Sequence, residues 1–280
     1  AAGMNPTVIV GSMLSEGRGN FIAGAPGDRC FIVEACEFKE SFLELSPSIS
    51  VITNIDNDHL DYYKTMENLL GAFISFAKNT SRAIVTHPRL PYISDLVSAM
   101  EGIPASAQII DADKQNVDFD IAIPGAHIIA NAQCALAVAD LINVDLEIAK
   151  KSLSEFRGTW RRSQFKGKTK NGAEIYDDYA HHPTEIATTL KGFKERYADK
   201  KITVLFQPHL YSRTKFLFDD FAEALCIAVT VWFAPIYAAR EVLDTSVSSE
   251  GLVEASQKRG TDAHLFSGDL AVFDNLGESD

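Results

Sequence analysis

Short apolar runs alternate with longer amphipathic stretches along most of the chain. Apolar positions spaced three or four residues apart predict helices, and short β-branched runs that end in polar turns predict strands. Strands that alternate with helices are typical of a parallel sheet covered by helices. We expect strands at 7–10, 30–33, 50–55, 83–86, 108–111, 173–177, 202–206 and 229–233. We expect helices at 65–78, 93–100, 128–141, 146–156, 183–197, 214–224, 249–259 and 268–276.

A basic stretch with few core residues, 157–162, interrupts this series near Gly158. We therefore predict two domains, 1–157 and 158–280, each an α/β domain built on an open, mostly parallel sheet with flanking helices. The glycine-rich segment 17–28 is interpreted as a loop, and the strand at 30–33 is expected to be buried.

Composition and charge narrow the class of protein. The chain has 280 residues, of which 46% are apolar and 23% charged, as in a folded globular protein. A net charge of −12 argues against binding to nucleic acid or to anionic membranes. No apolar run approaches the ~18 residues of a membrane span, and the start has no signal-peptide pattern. We predict a cytoplasmic protein.

The cysteines lack the spacing of zinc ligands or of a disulfide framework. Cys30, Cys134 and Cys226 lie in apolar runs, so we interpret them as reduced core residues.

Several residues of the first half could bind a nucleotide and its metal. Glu34 and His59 each follow a predicted strand, and a carboxylate and an imidazole at one sheet edge could hold Mg²⁺ beside phosphates. A helix-capping carboxylate and a surface histidine are the alternative. His127 and Asn131 share one helix face and could contact an adenine ring, or they could face solvent.

Polar turns follow three consecutive predicted strands of the second half. The first reads DDYAHHPTE, and Pro183 within it opens a helix. Arg162, which follows another arginine before these strands, could clamp a phosphate or lie in a solvated linker. Because such turns meet at one edge of an open α/β sheet, we predict a shared ligand-binding edge. No G-x-S-x-G motif is present, so we discount an acyl hydrolase.

Six motifs in order carry a family resemblance: IVEACE (32–37), TNIDNDHLDYY (53–63), PGAHIIANAQCALAVA (124–139), DDYAHHPTEI (177–186), FQPHLYSRT (206–214) and APIYAARE (234–241). The chain resembles the Mur ligases of peptidoglycan synthesis. The first three motifs resemble the central ATP-binding domain, and the last three resemble the branch that adds alanine. The resemblance therefore implies a partial central ATPase domain followed by a Rossmann-like C-terminal domain.

The resemblance also implies a reaction and a set of site residues. ATP would phosphorylate the lactyl carboxylate of UDP-N-acetylmuramate, and the amine of L-alanine would attack the acyl phosphate. Such a reaction needs charge neutralisation and positioning more than a protein nucleophile. The residues carried over are Glu34 and His59 for Mg²⁺, His127 and Asn131 for adenine, Arg162 and Asp178 for the nucleotide, Tyr179, His181 and Arg213 for the amino acid and the substrate carboxylate, and Asp178, His181 and Arg213 as the catalytic group.

Departures from the family pattern leave alternatives open. The phosphate loop G-[TS]-x-G-K-[ST] does not occur in these residues, so we expect a fragment of a longer ligase that cannot turn over ATP alone. Cys36, Ile128 and Leu210 stand where the family often has Asp, Asn and Arg. The alternatives are a ligase that recycles a murein peptide and a non-catalytic nucleotide-binding relative.

Overall fold

The computed structural model describes residues 2–13, 19–28, 30–101 and 107–280. The chain divides into two compact units. Unit 1 comprises Ala1–Ala122 and His127–Phe156, and unit 2 comprises Ile123–Ala126 and Arg157–Asp280.

The described residues of unit 1 form two small sheets. In the first, with strand order β2-β1-β3, β1 pairs antiparallel with β2 and parallel with β3. The second is entirely parallel, with order β4-β5-β6. The strands are β1 (Thr7–Ile9), β2 (Phe21–Ile22), β3 (Phe31–Val33), β4 (Ile49–Ile52), β5 (Ala83–Thr86) and β6 (Gln108–Asp111).

The helices of unit 1 bury an apolar core. Every residue of the central strand β5 is buried, as expected for a parallel strand with neighbours on both sides. Phe42, Leu69 and Leu96 are among the largest buried side chains around it. The Thr65 side chain caps α2 by accepting a hydrogen bond from the Asn68 N–H at 3.2 Å. The helices are α1 (Leu60–Tyr63), α2 (Met66–Lys78), α3 (Ile93–Met100), α4 (Ala126–Leu141) and α5 (Leu146–Glu155).

Unit 2 also contains two sheets. Strands β7 (Gln164–Lys168) and β8 (Glu174–Asp177) form an antiparallel pair. Strands β9 (Thr203–Phe206), β10 (Thr230–Phe233) and β11 (Asp262–Leu265) form a parallel sheet with order β11-β10-β9.

The parallel sheet of unit 2 packs against helices through an aromatic and aliphatic core. Phe206, Phe221, Phe233 and Leu252 are buried in this core. Helix α8 packs against α6 and α9, and α9 packs against β10 and β11. The helices are α6 (Pro183–Arg196), α7 (Tyr211–Phe216), α8 (Phe218–Leu225) and α9 (Ser249–Lys258).

The predicted α/β class is confirmed, but several elements differ from prediction. The described residues form four small sheets where we expected two. The segment predicted as a loop contains β2, and its first two residues lie outside the described part of the chain. The helix expected at 214–224 starts earlier and breaks at Leu217 into α7 and α8. The last expected helix is a single 3₁₀ turn at Leu270–Phe273, and β7 and β11 were not predicted.

Burial corrects two further expectations. Phe31 and Ile32 are 57% and 50% exposed, so the strand at 30–33 is not buried. Among the described residues it is an edge strand of its sheet, with β1 as its one neighbour. All four cysteines are free, but Cys134 is the buried one, while Cys30 and Cys226 are half-buried.

Within the described residues no helix is both long enough and apolar enough to cross a membrane.

Helix α6 makes a close backbone contact that explains why Ile123–Ala126 belongs to unit 2. Gly192 lies on α6 against Gly125, and a Cβ atom on Gly192 would lie 2.6 Å from the Gly125 Cα atom. Glycine is required here because this contact is to rigid backbone and leaves no room for a methyl group.

We expect Gly192→Ala to lower the free energy of unfolding by about 1–3 kcal/mol, because the new methyl group overpacks this contact. Gly71→Ala in α2 is the matched control, since nothing lies within 4 Å of its Cβ position. The control should raise stability by about 0.5–1 kcal/mol through helix propensity. Urea unfolding followed by circular dichroism measures both, and equal effects in the two variants would contradict the packing argument.

Candidate ligand-binding site

The carboxylate of Asp178 organises the turn that follows β8. Its Oδ2 accepts hydrogen bonds from the Ser163 N–H at 2.7 Å and the Ser163 hydroxyl at 3.2 Å. Its Oδ1 accepts one from the Ala180 N–H at 2.7 Å. Both carboxylate oxygens therefore fix the backbone of the turn, while remaining acceptor capacity is available to a ligand.

Glu185 ties the start of α6 to the segment before β7. Its Oε2 accepts from the backbone N–H groups of His181 at 3.0 Å and His182 at 3.2 Å. Its Oε1 accepts from the Arg162 guanidinium at 3.2 Å. Burial raises the pKa of Glu185, but the hydrogen bonds from His181 and Arg162 and the charges of these two residues outweigh burial and lower the pKa.

The sequence analysis missed Glu185, although a signal for it exists. His182 caps α6 by accepting from the Thr184 N–H, and Glu185 occupies the third helical position, which completes a capping box. A polar cap followed three residues later by Glu is the pattern of this motif. Histidine is an unusual cap, so the pattern was not recognised.

Aromatic and basic side chains line the outer side of this turn. The Arg161 guanidinium lies 5.0 Å from the Tyr179 ring centroid, a cation–π distance. The Tyr179 and His181 rings are 4.9 Å apart, and His181 Nδ1 is 2.8 Å from the Tyr179 carbonyl oxygen. Tyr179 is 47% exposed, so its ring is accessible to a ligand.

The turns after β9 and β10 approach this cluster, although β8 belongs to a separate sheet and the three strands do not share the single sheet edge that we predicted. The His209 ring lies 6.4 Å from His181 and 5.5 Å from Tyr237. The Leu210 N–H donates to the Tyr237 carbonyl oxygen at 2.9 Å, and the Tyr237 N–H donates to that of Pro208 at 2.8 Å. Backbone hydrogen bonds therefore fasten the second and third turns together.

Helix α7 brings Arg213 to the same place. Its first turn is anchored by Glu241, which accepts from the Ser212 N–H at 3.1 Å and from the Ser212 hydroxyl. Burial raises the pKa of Glu241, but the hydrogen bonds from Ser212 and Tyr211 and the charge of Arg240 lower it overall.

The pKa of His209 is lowered first by burial and then by the positive charges of Arg213, His181 and Arg240. The opposing charge of Glu241 is too weak to reverse this. Tyr179, His181, His209, Arg213 and Tyr237 thus form one polar cluster, which we call the unit 2 cluster.

In unit 1, the Glu34 carboxylate is held by the backbone of the neighbouring strand end. Oε2 accepts from the Gly11 N–H at 2.6 Å, and the Glu34 N–H donates to the Ile9 carbonyl oxygen at 2.9 Å. A Cβ atom on Gly11 would lie 2.7 Å from Glu34 Oε1. Gly11 therefore makes room for this exposed carboxylate.

His59 has acidic neighbours other than Glu34. Its Nε2 lies 3.4 Å from Glu37 Oε1 and 3.7 Å from Asp58 Oδ2. Strands β3 and β4, which precede Glu34 and His59, belong to different sheets. The described contacts thus pair His59 with Glu37. The prediction from the ends of the strands had named Glu34 instead.

The donor set suits Mg²⁺ through its carboxylates. Within the described residues, no group of three or more His, Cys, Asp or Glu side chains could hold a metal ion. Mg²⁺ prefers one or two carboxylates together with water and phosphate oxygens, and the exposed carboxylate of Glu34 meets that preference. The imidazole of His59 is the weaker part of the fit, because Mg²⁺ favours oxygen ligands.

His127 and Asn131 lie on the first turns of α4, where His127 is half-buried and Asn131 is exposed. A buried polar cluster anchors this helix to the end of β5. His87 Nδ1 lies 2.7 Å from Asp113 Oδ1, and His87 Nε2 lies 3.1 Å from the Ala130 carbonyl oxygen. Sequence reasoning missed this cluster, because its members are far apart along the chain.

Both halves of the chain match known domains. Residues 26–103 match the Mur ligase middle domain, and residues 161–276 match the family described as Mur ligase, glutamate ligase domain. A UDP-N-acetylmuramate–L-alanine ligase from Caldanaerobacter subterraneus subsp. tengcongensis is 40% identical over 93% of this chain. The chain spans 61% of the length of that relative.

The chain is also similar to solved structures of Mur ligases. A UDP-N-acetylmuramate-alanine ligase from Thermotoga maritima is 25% identical with a TM-score of 0.71, over 94% of this chain and 60% of that one. A murein peptide ligase from Psychrobacter arcticus shares the fold, with 20% identity and a TM-score of 0.61 over 100% of this chain and 68% of that one. The chain therefore belongs to the Mur ligase family, and it carries that family's middle and C-terminal domains.

Proposed function

We propose that this chain is the ATP-binding and amino-acid-binding part of a ligase that joins L-alanine to the carboxylate of UDP-N-acetylmuramate. ATP would activate the carboxylate as an acyl phosphate, with ADP as the product. The observation that carries the proposal is the unit 2 cluster, where side chains of three consecutive turns converge. The 40% identity to a relative of that name supports the choice of substrates.

Unit 1 would supply the nucleotide contacts as the central ATP-binding domain, with the boundary near Gly158. Glu34 would hold Mg²⁺ with water and phosphate oxygens, and His59 would contribute beside it. The metal, when bound, neutralises the charge of the phosphates. His127 and Asn131 would contact the adenine ring from the first turns of α4, which the His87 cluster keeps in place.

Unit 2 would supply the amino-acid contacts. Arg213 offers a planar guanidinium that suits the carboxylate of the amino acid. Tyr179 and His181 would contact the amino acid and the carboxylate of the sugar substrate. Asp178 and Arg162 would contact the nucleotide, and Asp178, His181 and Arg213 would form the catalytic group.

Two alternatives predict different activities. A ligase that recycles a murein peptide would use a peptide as its amine substrate, and among the solved structures the identity to such an enzyme is 20%, against 25% to an alanine ligase. A non-catalytic relative would bind nucleotide without phosphate release. We expect phosphate release from the full-length ligase, meaning the polypeptide that carries these residues together with the phosphate loop, with L-alanine rather than a murein peptide. Release with the peptide alone would favour the first alternative, and no release the second.

Arg213→Gln in the full-length ligase should raise KM for L-alanine about 10- to 100-fold, because a charge-assisted contact to the carboxylate is lost. Initial rates of L-alanine-dependent phosphate release measure this. Lys215→Gln is the matched control on the same helix, since Lys215 pairs with Asp244 at 3.4 Å. An unchanged KM in Arg213→Gln would remove Arg213 from the proposed site.

Gly11→Ala in the full-length ligase should raise the Mg²⁺ concentration for half-maximal activity about tenfold or more, because its methyl group displaces the Glu34 carboxylate. A titration of Mg²⁺ at saturating ATP measures this. Gly71→Ala is again the control. If both glycine variants respond to Mg²⁺ like the parent, Glu34 does not hold the metal in the geometry proposed.

A further inference from the structure

His209, a member of the unit 2 cluster, has one enclosed ring nitrogen. Its Nδ1 is buried and has no hydrogen-bond partner among the described residues. The ring as a whole is only half-buried, between His181 and Tyr237. Because Nδ1 is enclosed, Nε2 is the nitrogen through which this ring can exchange a proton with a ligand.

The proposed reaction needs a group that accepts a proton. The amine of an amino acid is largely protonated at neutral pH, and an ammonium group has no lone pair with which to attack an acyl phosphate. One proton must therefore leave before the carbon–nitrogen bond forms. A base placed beside the amine removes that proton in the same complex.

The other groups around His209 suit this task less well. The guanidinium groups of Arg213 and Arg240 cannot accept a proton. Glu241 is already hydrogen-bonded to Ser212, and its lowered pKa makes it a weak base. His181 has Nδ1 2.8 Å from the Tyr179 carbonyl oxygen, and the function proposed above already assigns its side chain to the amino acid and the carboxylate of the sugar substrate.

We propose that His209 is the general base that removes a proton from the ammonium group of the incoming amino acid through Nε2. This inference rests on the ligase function proposed above. It also requires the tautomer in which Nδ1 carries the hydrogen, so that the lone pair is on Nε2.

The protons and electrons of the step balance. His209 Nε2 takes one proton from the ammonium group, and the nitrogen lone pair then forms a bond to the acyl carbon. The carbon–oxygen bond to phosphate breaks, and its electron pair leaves with the phosphate. The leaving phosphate takes the second proton of the nitrogen, and His209 returns the first to solvent.

The electrostatic surroundings favour a neutral ring before the reaction. Burial and the positive charges of Arg213, His181 and Arg240 lower the pKa of His209, against the single opposing charge of Glu241. Tyr237 adds an uncharged phenol. The ordinary pKa of histidine is about 6.5, so a lowered value keeps His209 neutral at neutral pH, the form that has a lone pair for a proton.

His209→Gln in the full-length ligase should lower kcat with L-alanine about 100-fold at neutral pH, the size of effect expected for a lost general base, with little change in KM. The deficit should narrow as the pH approaches the pKa of the ammonium group of L-alanine, where the amine loses its proton to solvent without a protein base. In the parent enzyme, kcat should fall only as the pH drops below about 6.5, because His209 must be neutral. A uniform loss at all pH values would indicate a structural role and overturn the proposal.

Hydroxylamine separates this proposal from the proposed function. It is a neutral amine at neutral pH, and it traps acyl phosphates as hydroxamates without a base. The parent and His209→Gln should therefore form hydroxamate from UDP-N-acetylmuramate and ATP at equal rates. An equal loss with hydroxylamine and L-alanine would overturn the role of His209, while no hydroxamate from the parent would overturn the ligase function.

His264→Gln is the matched control, since His264 stacks on Trp232 at 4.7 Å and pairs with Asp262, outside the unit 2 cluster. It should leave the rate with both amines unchanged. A loss in this variant as large as that in His209→Gln would show that either change acts through stability.

Discussion

The unit 2 cluster depends on the hydrogen bonds that the Glu185 carboxylate accepts at the start of α6. The first N–H groups of a helix have no partner inside it, and Glu185 accepts two N–H groups of the residues just before α6. The same carboxylate holds Arg162. Removal of its charge would free His181 and His182 at one end and Arg162 at the other. One carboxylate therefore holds together the start of α6, the turn before it and the segment that contains Arg162.

Two histidines of this cluster differ because their neighbours differ. His181 lies beside the Glu185 carboxylate, whereas the charges around His209 are mostly positive. Burial and these positive charges lower the pKa of His209 and favour a neutral ring that can take up a proton. The turns after β9 and β10 follow strands of one parallel sheet, and they meet the turn after β8, a strand of a separate sheet.

In unit 1, too, a backbone N–H group fixes the position of a carboxylate. Gly11 lacks a side chain, so its N–H can reach the Glu34 carboxylate and its Cα leaves that carboxylate room. A buried histidine, His87, links the end of β5 to α4 through the Ala130 carbonyl oxygen. Both contacts position residues that the proposed nucleotide site uses, and neither residue need touch the ligand.

The sequence by itself determined the α/β class, most helices and strands, and which turns of unit 2 carry polar side chains. Those features follow from local periodicity and from the residues of each turn. The turn after β8 meets the turns after β9 and β10 through tertiary packing, because β8 pairs with β7 in a separate sheet. Only the tertiary structure decided that His59 faces Glu37, that β2 and β11 pair as strands, and that Nδ1 of His209 is enclosed. These three features depend on residues that are distant along the chain. The burial and the electrostatic surroundings of a side chain add up the effects of many such residues, so the local sequence does not determine them.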